Sequence, residues 1–338
     1  MDVRERTQSQ ERRTLCSYAA FSDSSAGRAR YDEPCPMRTE FQRDRDRIIH
    51  CKAFRRLKHK TQVFLSPDGD HYRTRLTHTL EVSQIGRTIA RALALNEDLT
   101  EAIALGHDLG HTPFGHAGER ALADISGVDF RHNENSVRVV DLYEKDGRGL
   151  NLTCEVRDGM LCHTGRKLAD TFEGQIVRLA DRIAYINHDI DDALRAGILT
   201  KDDIPKIFRE ELGETTSERI NTLVFDTIQN SGEQSGGGFA IAQSEKINKL
   251  MSELRDYMFE SVYKNPVAKG EETKAVDLLE KLYIHFKKNT SEIPRLYASR
   301  LESDGLDAVL CDYISSMTDR YAIEVFKEVF IPKSWHVI

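Results

Sequence analysis

Hydrophobic residues recur at steps of three and four through the segment 174–197, and no other feature of the sequence constrains the fold as strongly. The recurring residues are Ile176, Leu179, Ile183, Ile186, Ile190 and Leu194. This spacing places one apolar stripe along an α-helix, and such a stripe is stable only when other helices cover it. Gly174 and Gly197 mark the expected ends of the helix.

The same periodicity predicts helices in several other segments. They cover residues 77–93, 99–110, 244–264, 275–289 and 305–330, with Thr100 as the expected N-cap of the second. Clustered Gly and Ser between Asn230 and Phe239 predict a connecting loop. No convincing series of alternating strands is present, so the sequence predicts an all-α fold.

Composition narrows the class of protein. A chain of 338 residues with 39% hydrophobic residues is large enough to bury a core. No apolar run approaches the ~20 residues of a membrane span, and the N-terminus lacks the apolar stretch of a secretory signal. A cytoplasmic protein without a membrane partner is therefore expected. The six cysteines form no CxxC pair, which favours free thiols.

Charge is distributed unevenly along the chain. Residues 1–60 carry 15 basic and 9 acidic side chains, whereas the whole chain carries a net charge of −7. This contrast predicts a polyanionic partner, which could be substrate phosphate, a neighbouring subunit or nucleic acid. A solvated arginine-rich surface explains the pattern equally well, so the charge leaves both interpretations open.

The segment Glu101–Glu119, EAIALGHDLGHTPFGHAGE, is rich in histidine and acidic residues that could bind a metal or transfer protons. Its adjacent pair, His107 and Asp108, ends an apolar helix, where burial is costly unless a partner such as a divalent metal is present. His78 and Asp181 occur singly on two other amphipathic helices, as metal ligands often do. Each of them taken alone is equally consistent with a hydrogen-bonded core histidine or a solvated carboxylate.

Together these four residues would form a mixed nitrogen and oxygen shell. Two imidazoles and two carboxylates suit Mg, Mn, Fe, Co or Ni. Four protein ligands leave coordination positions for water and phosphate oxygens, which is typical of hydrolytic metal sites.

The pattern His78, His107-Asp108, Asp181 resembles the H…HD…D signature of the HD-domain superfamily. Within it, the chain resembles the deoxyguanosinetriphosphate triphosphohydrolases and the dGTPase-like proteins. The matching blocks are RDRDRIIHCKAFRRLKHKTQVF (43–64), RTRLTHTLEVSQIGR (73–87), GHDLGHTPFGHAGE (106–119), FRHNENS (130–136), EVRDGMLCHTG (155–165), RLADRIAYINHDIDD (178–192) and SSMTDRYAIEVF (315–326).

This resemblance implies an HD-domain helical bundle with additional C-terminal helices. The implied activity is hydrolysis of dGTP, or of several dNTPs, to deoxynucleoside and inorganic triphosphate. The implied metal is Mg or Mn, with Fe, Co and Ni as alternatives, and its implied ligands are His78, His107, Asp108 and Asp181.

The resemblance also implies roles for residues around the metal. The implied catalytic residues are His111, His116 and Glu119, and the implied substrate-binding residues are Arg75, His132, Asn133, Tyr185 and Arg182. Arg73 and Lys60 are further cationic candidates for phosphate binding.

His116 has the chemistry of a general acid for the departing 5′-alkoxide, since Glu119 one helical turn later would keep it protonated. The opposite assignment, as base or nucleophile, stays open from sequence. So do structural roles as a loop cap and a first-turn carboxylate.

The predicted organisation has three parts. They are a basic N-terminal extension (1–40), an HD phosphohydrolase core (41–210) and a helical C-terminal region packed on the core (211–338). The resemblance implies a homo-oligomer, a tetramer or hexamer, and an activating dNTP or single-stranded DNA. Two alternatives stay open: an HD phosphohydrolase acting on another nucleotide phosphoester, and a regulator that binds dNTPs or single-stranded nucleic acid with little turnover.

Overall fold

The protein is helical almost throughout, which confirms the predicted fold class. The computed structural model describes residues 1–62, 73–264 and 266–333, so the ends of the block 43–64 and of the predicted C-terminal region lie outside the described residues. The helices of the first 200 residues are α1 (Val3–Thr14), α2 (Glu40–Ile49), α3 (Lys52–Arg56), α4 (Arg75–Ala92), α5 (Glu97–Gly106), α6 (Gly115–Ser126), α7 (His132–Arg138), α8 (Glu144–Gly147), α9 (Cys154–Cys162) and α10 (Phe172–Arg195).

The remaining helices complete the bundle. They are α11 (Lys206–Leu212), α12 (Thr216–Asn230), α13 (Glu245–Met258), α14 (Pro266–Lys288), α15 (Arg295–Ala298), α16 (Leu301–Asp304), α17 (Leu306–Ser315) and α18 (Asp319–Phe330). Short 3₁₀ turns cover Ser22–Ser24, Leu57–His59, Lys201–Asp203 and Thr290–Glu292, and π-helical turns cover Val139–Tyr143 and Phe259–Tyr263. None of the described helices has the length and apolar character required to cross a membrane.

Three local predictions need correction. The N-cap of α5 is Asn96 rather than Thr100, because the Asn96 side chain accepts a hydrogen bond from the Leu99 amide. The segment 305–330 forms two helices separated at residues 316–318, where Thr318 caps the second. The Gly/Ser-rich loop contains a small antiparallel hairpin that pairs β1 (Gly232–Glu233) with β2 (Phe239–Ala240).

Two hydrophobic clusters organise the helices. The larger cluster surrounds α4, α5 and α10, and the smaller one joins α6, α14, α17 and α18. Leu109 belongs to the larger cluster and Phe114 to the smaller one, and both side chains are buried. The loop between them, residues 109–114, is therefore packed into a different hydrophobic cluster at each end.

Arg28 fastens the predicted N-terminal extension to the core. Its guanidinium donates to Glu40 Oε2 at 2.6 Å and to the Asn151 carbonyl at 2.7 Å, and it pairs with Asp44. Asp44 is fully buried and also accepts from the Thr153 amide at 2.8 Å. Arg28 is thus a structural residue that neutralises a buried carboxylate.

Replacing Arg28 with Gln should lower the free energy of unfolding by about 3–5 kcal/mol, because Asp44 would be left as an uncompensated buried charge. Chemical denaturation followed by circular dichroism measures this change. The exposed Arg30 provides a matched control, and Arg30→Gln should stay within about 0.5 kcal/mol of the wild type. Equal effects of the two substitutions would contradict the structural role of Arg28.

Candidate metal centre and its histidine cluster

The four predicted metal ligands come together where three helices of the larger cluster meet. α4 carries His78, α10 carries Asp181, and His107 and Asp108 follow directly after the last turn of α5. The helices α4, α5 and α10 pack against one another through their apolar faces. Burial of these faces therefore brings together residues that lie up to 103 positions apart.

The ligand atoms are close enough to share one ion. Those of His78, His107 and Asp108 lie within 4.8 Å of one another. His78 Nε2 lies 3.0 Å from Asp181 Oδ1, and His107 Nε2 lies 3.3 Å from Asp108 Oδ1 and 3.8 Å from Asp181 Oδ1.

The orientation of His107 fits a metal ligand. Its Nδ1 donates to the Ala104 carbonyl at 2.7 Å, so the lone pair lies on Nε2. That Nε2 is buried and has no hydrogen-bond partner among the described residues. A buried, unpaired lone pair that faces two carboxylates is a costly arrangement unless a cation occupies the space between them. The residues present therefore fit a divalent ion.

The electrostatics of the cluster keep its carboxylates ionised. Burial alone would raise the pKa of Asp181, but the hydrogen bond with His78 and the surrounding imidazoles lower it to about 2. Burial likewise opposes the charge on Asp108, yet the neighbouring imidazoles and Arg75 hold its pKa well below the ordinary value. Two anionic ligands are thus present near neutral pH, as binding of a hard cation requires.

Arg75 orients Asp108 and keeps donor capacity for another ligand. Its side chain is buried, and Nη1 donates to Asp108 Oδ2 at 2.9 Å. Its Nε is buried without a hydrogen-bond partner among the described residues. Such a donor beside a metal cluster suits a phosphate oxygen.

A second cluster centres on Glu119. His116 Nδ1 lies 3.0 Å from Glu119 Oε2, and His132 Nδ1 lies 3.0 Å from Glu119 Oε1. The amide of His132 donates to the same carboxylate at 2.9 Å. Burial opposes the charge on Glu119, but these donors lower its pKa, so the carboxylate accepts from both imidazoles.

His163 completes this cluster, although the sequence analysis did not select it. It follows α9, its Nδ1 donates to the Met160 carbonyl at 2.7 Å, and its Nε2 lies 3.2 Å from His132 Nε2. Burial and the neighbouring imidazoles lower the pKa of His163 to about 3. A neutral His163 can accept a hydrogen bond from His132 Nε2, while the Glu119 carboxylate accepts one from His132 Nδ1.

His111 lies between the two clusters. Its Nε2 is 3.1 Å from Asp108 Oδ1, and its ring stacks on His132 with centroids 3.9 Å apart. Burial and the positive charge of Arg75 lower the pKa of His111 well below the ordinary value. His111 therefore joins the metal cluster to the Glu119 cluster as a neutral ring.

Two glycines of this segment are required by contacts and backbone conformation within the protein. A Cβ at Gly110 would lie 2.1 Å from the Ser136 amide nitrogen, so the close neighbour of Gly110 is α7. Gly115 adopts φ +57°, a conformation that favours glycine. Both requirements come from the protein chain itself.

The predicted substrate-binding residues differ in their burial and in the hydrogen bonds that they already make within the protein. Tyr185 is half-buried one turn beyond Asp181, and burial raises its pKa to about 12. Arg182 is half-buried on the same helix. Asn133 is buried and its amide donates to the Leu161 carbonyl at 2.7 Å, which engages one of its donors in the packing of α7 on α9.

The two additional cationic candidates are committed to other partners. Arg73 pairs with Glu81, Asp191 and Asp192 at 3.0–3.2 Å. Lys60 is buried and donates to the backbone carbonyls of His111 and Ser315. Both residues stabilise the walls of the site through these contacts.

Asp189, two turns beyond Asp181, is a further buried group near the cluster. It accepts a hydrogen bond from Tyr263, and burial raises its pKa to about 7.

The basic N-terminal portion contributes to a cleft outside the metal cluster. The cleft has a volume of about 430 Å³ and is lined by Arg38, Arg43, Asp46, Arg47, His50, Cys51, Lys52, Arg55, Glu144, Lys145, Asp146 and Leu150. Several of these cations already pair with acids, such as Arg38 with Asp46 at 2.7 Å and Lys52 with Asp146 at 2.8 Å. Much of the basic charge is therefore neutralised within the chain, and a polyanionic partner stays a prediction.

Comparison with known proteins adds independent information. Residues 75–186 match the model of the HD domain, and residues 241–328 match the phosphohydrolase-associated domain. The chain is 54% identical over 335 residues to a deoxyguanosinetriphosphate triphosphohydrolase-like protein of Caldanaerobacter subterraneus subsp. tengcongensis, covering 99% of this chain and 98% of the relative. Relatives of the same name occur in Clostridium perfringens strain SM101 (51% over 338 residues, 98% and 99% covered) and Geobacter sulfurreducens (40% over 371 residues, 95% and 96% covered).

Asp108→Asn should weaken metal binding by at least ~10-fold, because it removes an anionic ligand while preserving the shape of the side chain. Metal content after dialysis against a fixed Mn²⁺ concentration, measured by mass spectrometry, tests this expectation. Asp98→Asn is the control, since Asp98 lies at the other end of α5 and pairs with Arg45. Wild-type metal content in the Asp108 variant would remove Asp108 from the ligand set.

Proposed function

The chain belongs to the deoxyguanosinetriphosphate triphosphohydrolase-like family of HD-domain proteins and is a metal-dependent phosphohydrolase, and on that premise we propose that its substrates are deoxynucleoside triphosphates. The proposed reaction adds water to the α-phosphorus, breaks the bond between that phosphorus and O5′, and releases deoxynucleoside and intact inorganic triphosphate. dGTP alone or several dNTPs would serve as substrate.

One observation carries the proposal: an accessible His116, held by Glu119, stands beside a buried cluster of metal-ligating residues and cations. The His116 side chain is 68% exposed, whereas the side chains of His111 and Asp108 are 3% and 4% exposed. A buried charge-binding cluster next to a solvent-facing proton donor suits hydrolysis of a charged ester.

The proposed metal ligands are His78, His107, Asp108 and Asp181. A divalent ion there would neutralise charge on the α-phosphoryl group and favour its attack by water. Mg and Mn are the proposed ions because the shell contains two carboxylates, and Fe, Co or Ni would suit the imidazoles.

Arg75 and the histidines around Glu119 would hold the triphosphate. Arg75 offers an Nε that has no partner among the described residues, and the His132 ring is held in place by Glu119 and His163. Both side chains are already oriented by protein contacts, so they would lose little further freedom when phosphate binds. Preorganised positive charge of this kind stabilises a transition state in which negative charge spreads over phosphoryl oxygens.

His116 is proposed as the general acid. Its Nδ1 faces the Glu119 carboxylate, which leaves Nε2 as the atom that would give a proton to the departing O5′. The exposure of His116 would allow it to regain a proton from solvent after each turnover. Base or nucleophile chemistry would instead require Nε2 to be unprotonated when the substrate binds.

The remaining sequence predictions are kept as parts of this proposal. Tyr185, Arg182 and Asn133 would contact the substrate, and no residue is assigned to the base. A cytoplasmic homo-oligomer, tetrameric or hexameric, activated by a dNTP or by single-stranded DNA, is proposed from the same resemblance.

Incubation of the protein with each dNTP, alone and mixed, with Mg²⁺ and then Mn²⁺, should give deoxynucleoside and triphosphate that ion-exchange chromatography resolves. Activity confined to mixtures would indicate activation by a nucleotide. Release of pyrophosphate or single phosphates would mean that a phosphoanhydride bond is cut instead of the ester bond at O5′, and would contradict the proposed reaction. Binding without any product would support a regulator.

His116→Ala should reduce kcat by at least ~100-fold while bound metal is retained, because loss of a general acid leaves the metal ligands intact. Steady-state kinetics combined with metal analysis measures both quantities. The exposed His59 provides the control, and His59→Ala should keep wild-type kcat. A His116 variant with near wild-type turnover would assign His116 a structural role.

A further inference from the structure

We propose that Asp319, the first residue of α18, is a positioning residue that holds the loop carrying His111 and leading into His116 on α6 in its working conformation. This inference rests on the proposed function, since His116 is the proposed acid. It assigns a role in the reaction to the C-terminal helices, which supply none of the residues in the metal and Glu119 clusters described above.

The Asp319 carboxylate is buried and accepts three hydrogen bonds. Oδ1 accepts from the Phe114 amide at 3.0 Å. Oδ2 accepts from the amide of Thr61 at 2.9 Å and from its hydroxyl at 2.8 Å. One side chain of α18 therefore joins the loop before α6 to the segment before α4.

The loop needs such an anchor because its backbone is unfavourable on its own. Phe114 adopts φ +60° and ψ +26°, the left-handed conformation that a bulky side chain rarely adopts, and Gly115 follows with φ +57°. Phe114 is also the N-cap of α6 and makes no side-chain capping bond. The surrounding contacts must therefore maintain this turn, and His116 is the residue that follows it.

Two further contacts attach the same loop to the C-terminal helices. The Phe114 side chain is buried in the smaller hydrophobic cluster, beside α14 and α17. Lys60 donates to the carbonyl of His111 and also to that of Ser315 at 2.8 Å. Both ends of the segment His111–Phe114 are thus tied to the stretch Ser315–Asp319, which crosses from α17 to α18.

The hydrogen bonds of Asp319 fix the turn that precedes His116 and do not include the metal ligands. Among the described residues, its side chain bonds to Thr61 and Phe114 alone, whereas the metal ligands lie on α4, on α10 and directly after α5. Loss of the carboxylate should therefore displace His116 while leaving metal binding intact. This separation distinguishes positioning from general destabilisation.

The test compares Asp319→Ala with two matched variants. Thr61→Val removes one hydrogen bond to the same carboxylate but leaves the Phe114 bond. Asp312→Ala removes a buried carboxylate of α17 that pairs with Arg138 at 2.5 Å, and so measures the effect of destabilising the C-terminal helices. Thermal midpoint, metal content, kcat, KM and deuterium uptake of a peptide covering residues 109–118 are measured for each.

Asp319→Ala should lower kcat by at least ~10-fold with KM and metal content within about 2-fold of wild type, because the acid is misplaced and the metal is not. Uptake in residues 109–118 should accelerate in Asp319→Ala only. Equal losses of kcat in Asp319→Ala and Asp312→Ala at similar thermal midpoints would overturn the proposal. So would wild-type uptake in Asp319→Ala.

Deuterium uptake separates this inference from the proposed function. A wild-type protein that hydrolyses no dNTP would refute the proposed function, while faster uptake in Asp319→Ala would still support anchoring of the loop. If Asp319→Ala does not fold, Asp319→Asn replaces it. The amide introduced at position 319 would have one acceptor oxygen for the three donors, so Asp319→Asn should show a smaller loss of kcat and a smaller increase in uptake than Asp319→Ala. Wild-type kcat and uptake in Asp319→Asn would overturn the proposal.

Discussion

The structure depends on burying ionised groups where three apolar helices meet. Asp108 and Asp181 lie within the largest hydrophobic cluster, in an environment where an isolated carboxylate would be strongly destabilised. Arg75 and His78 compensate part of this charge through their contacts with Asp108 and Asp181. The unpaired Nε2 of His107 remains, and a bound cation is the simplest way to satisfy it. The metal site and the packing of α4, α5 and α10 therefore stabilise each other.

The position of His116, the proposed proton donor, depends on a different hydrophobic cluster from the one that positions the proposed metal ligands. His116 and Glu119 lie on α6, whose apolar face packs into the smaller cluster with α14 and α17. The proposed metal ligands are fixed by the larger cluster, so their distance from His116 depends on how the two clusters are joined. The loop 109–114 and its hydrogen bonds to Lys60 and Asp319 make that connection. The phosphohydrolase-associated region therefore contributes to the site by supporting the loop that leads to His116.

The parts of the protein that follow local rules were predictable from sequence. Helical periodicity predicted the fold class correctly. The four residues selected as metal ligands, His78, His107, Asp108 and Asp181, lie close together through overlapping groups of neighbours, and their role as ligands stays a prediction. Partners that depend on tertiary packing were not predictable. His163 is the one histidine of its block, residues 155–165, and only the packing of α7 on α9 brings it to His132. The three-part division of the chain stays a prediction.

Burial explains why neighbouring histidines have different chemistry. His107 and His163 each donate from Nδ1 to a carbonyl of the preceding turn, which leaves Nε2 as a lone-pair donor in both. The first lone pair faces the carboxylates of the metal cluster, and the second lies 3.2 Å from His132 Nε2. His116 is the exposed member, and its outer nitrogen can exchange protons with water. A site that binds a cation and also supplies a proton needs a buried histidine with a free lone pair and an exposed histidine that exchanges protons with water. The burial of each ring determines which of these two roles it can take.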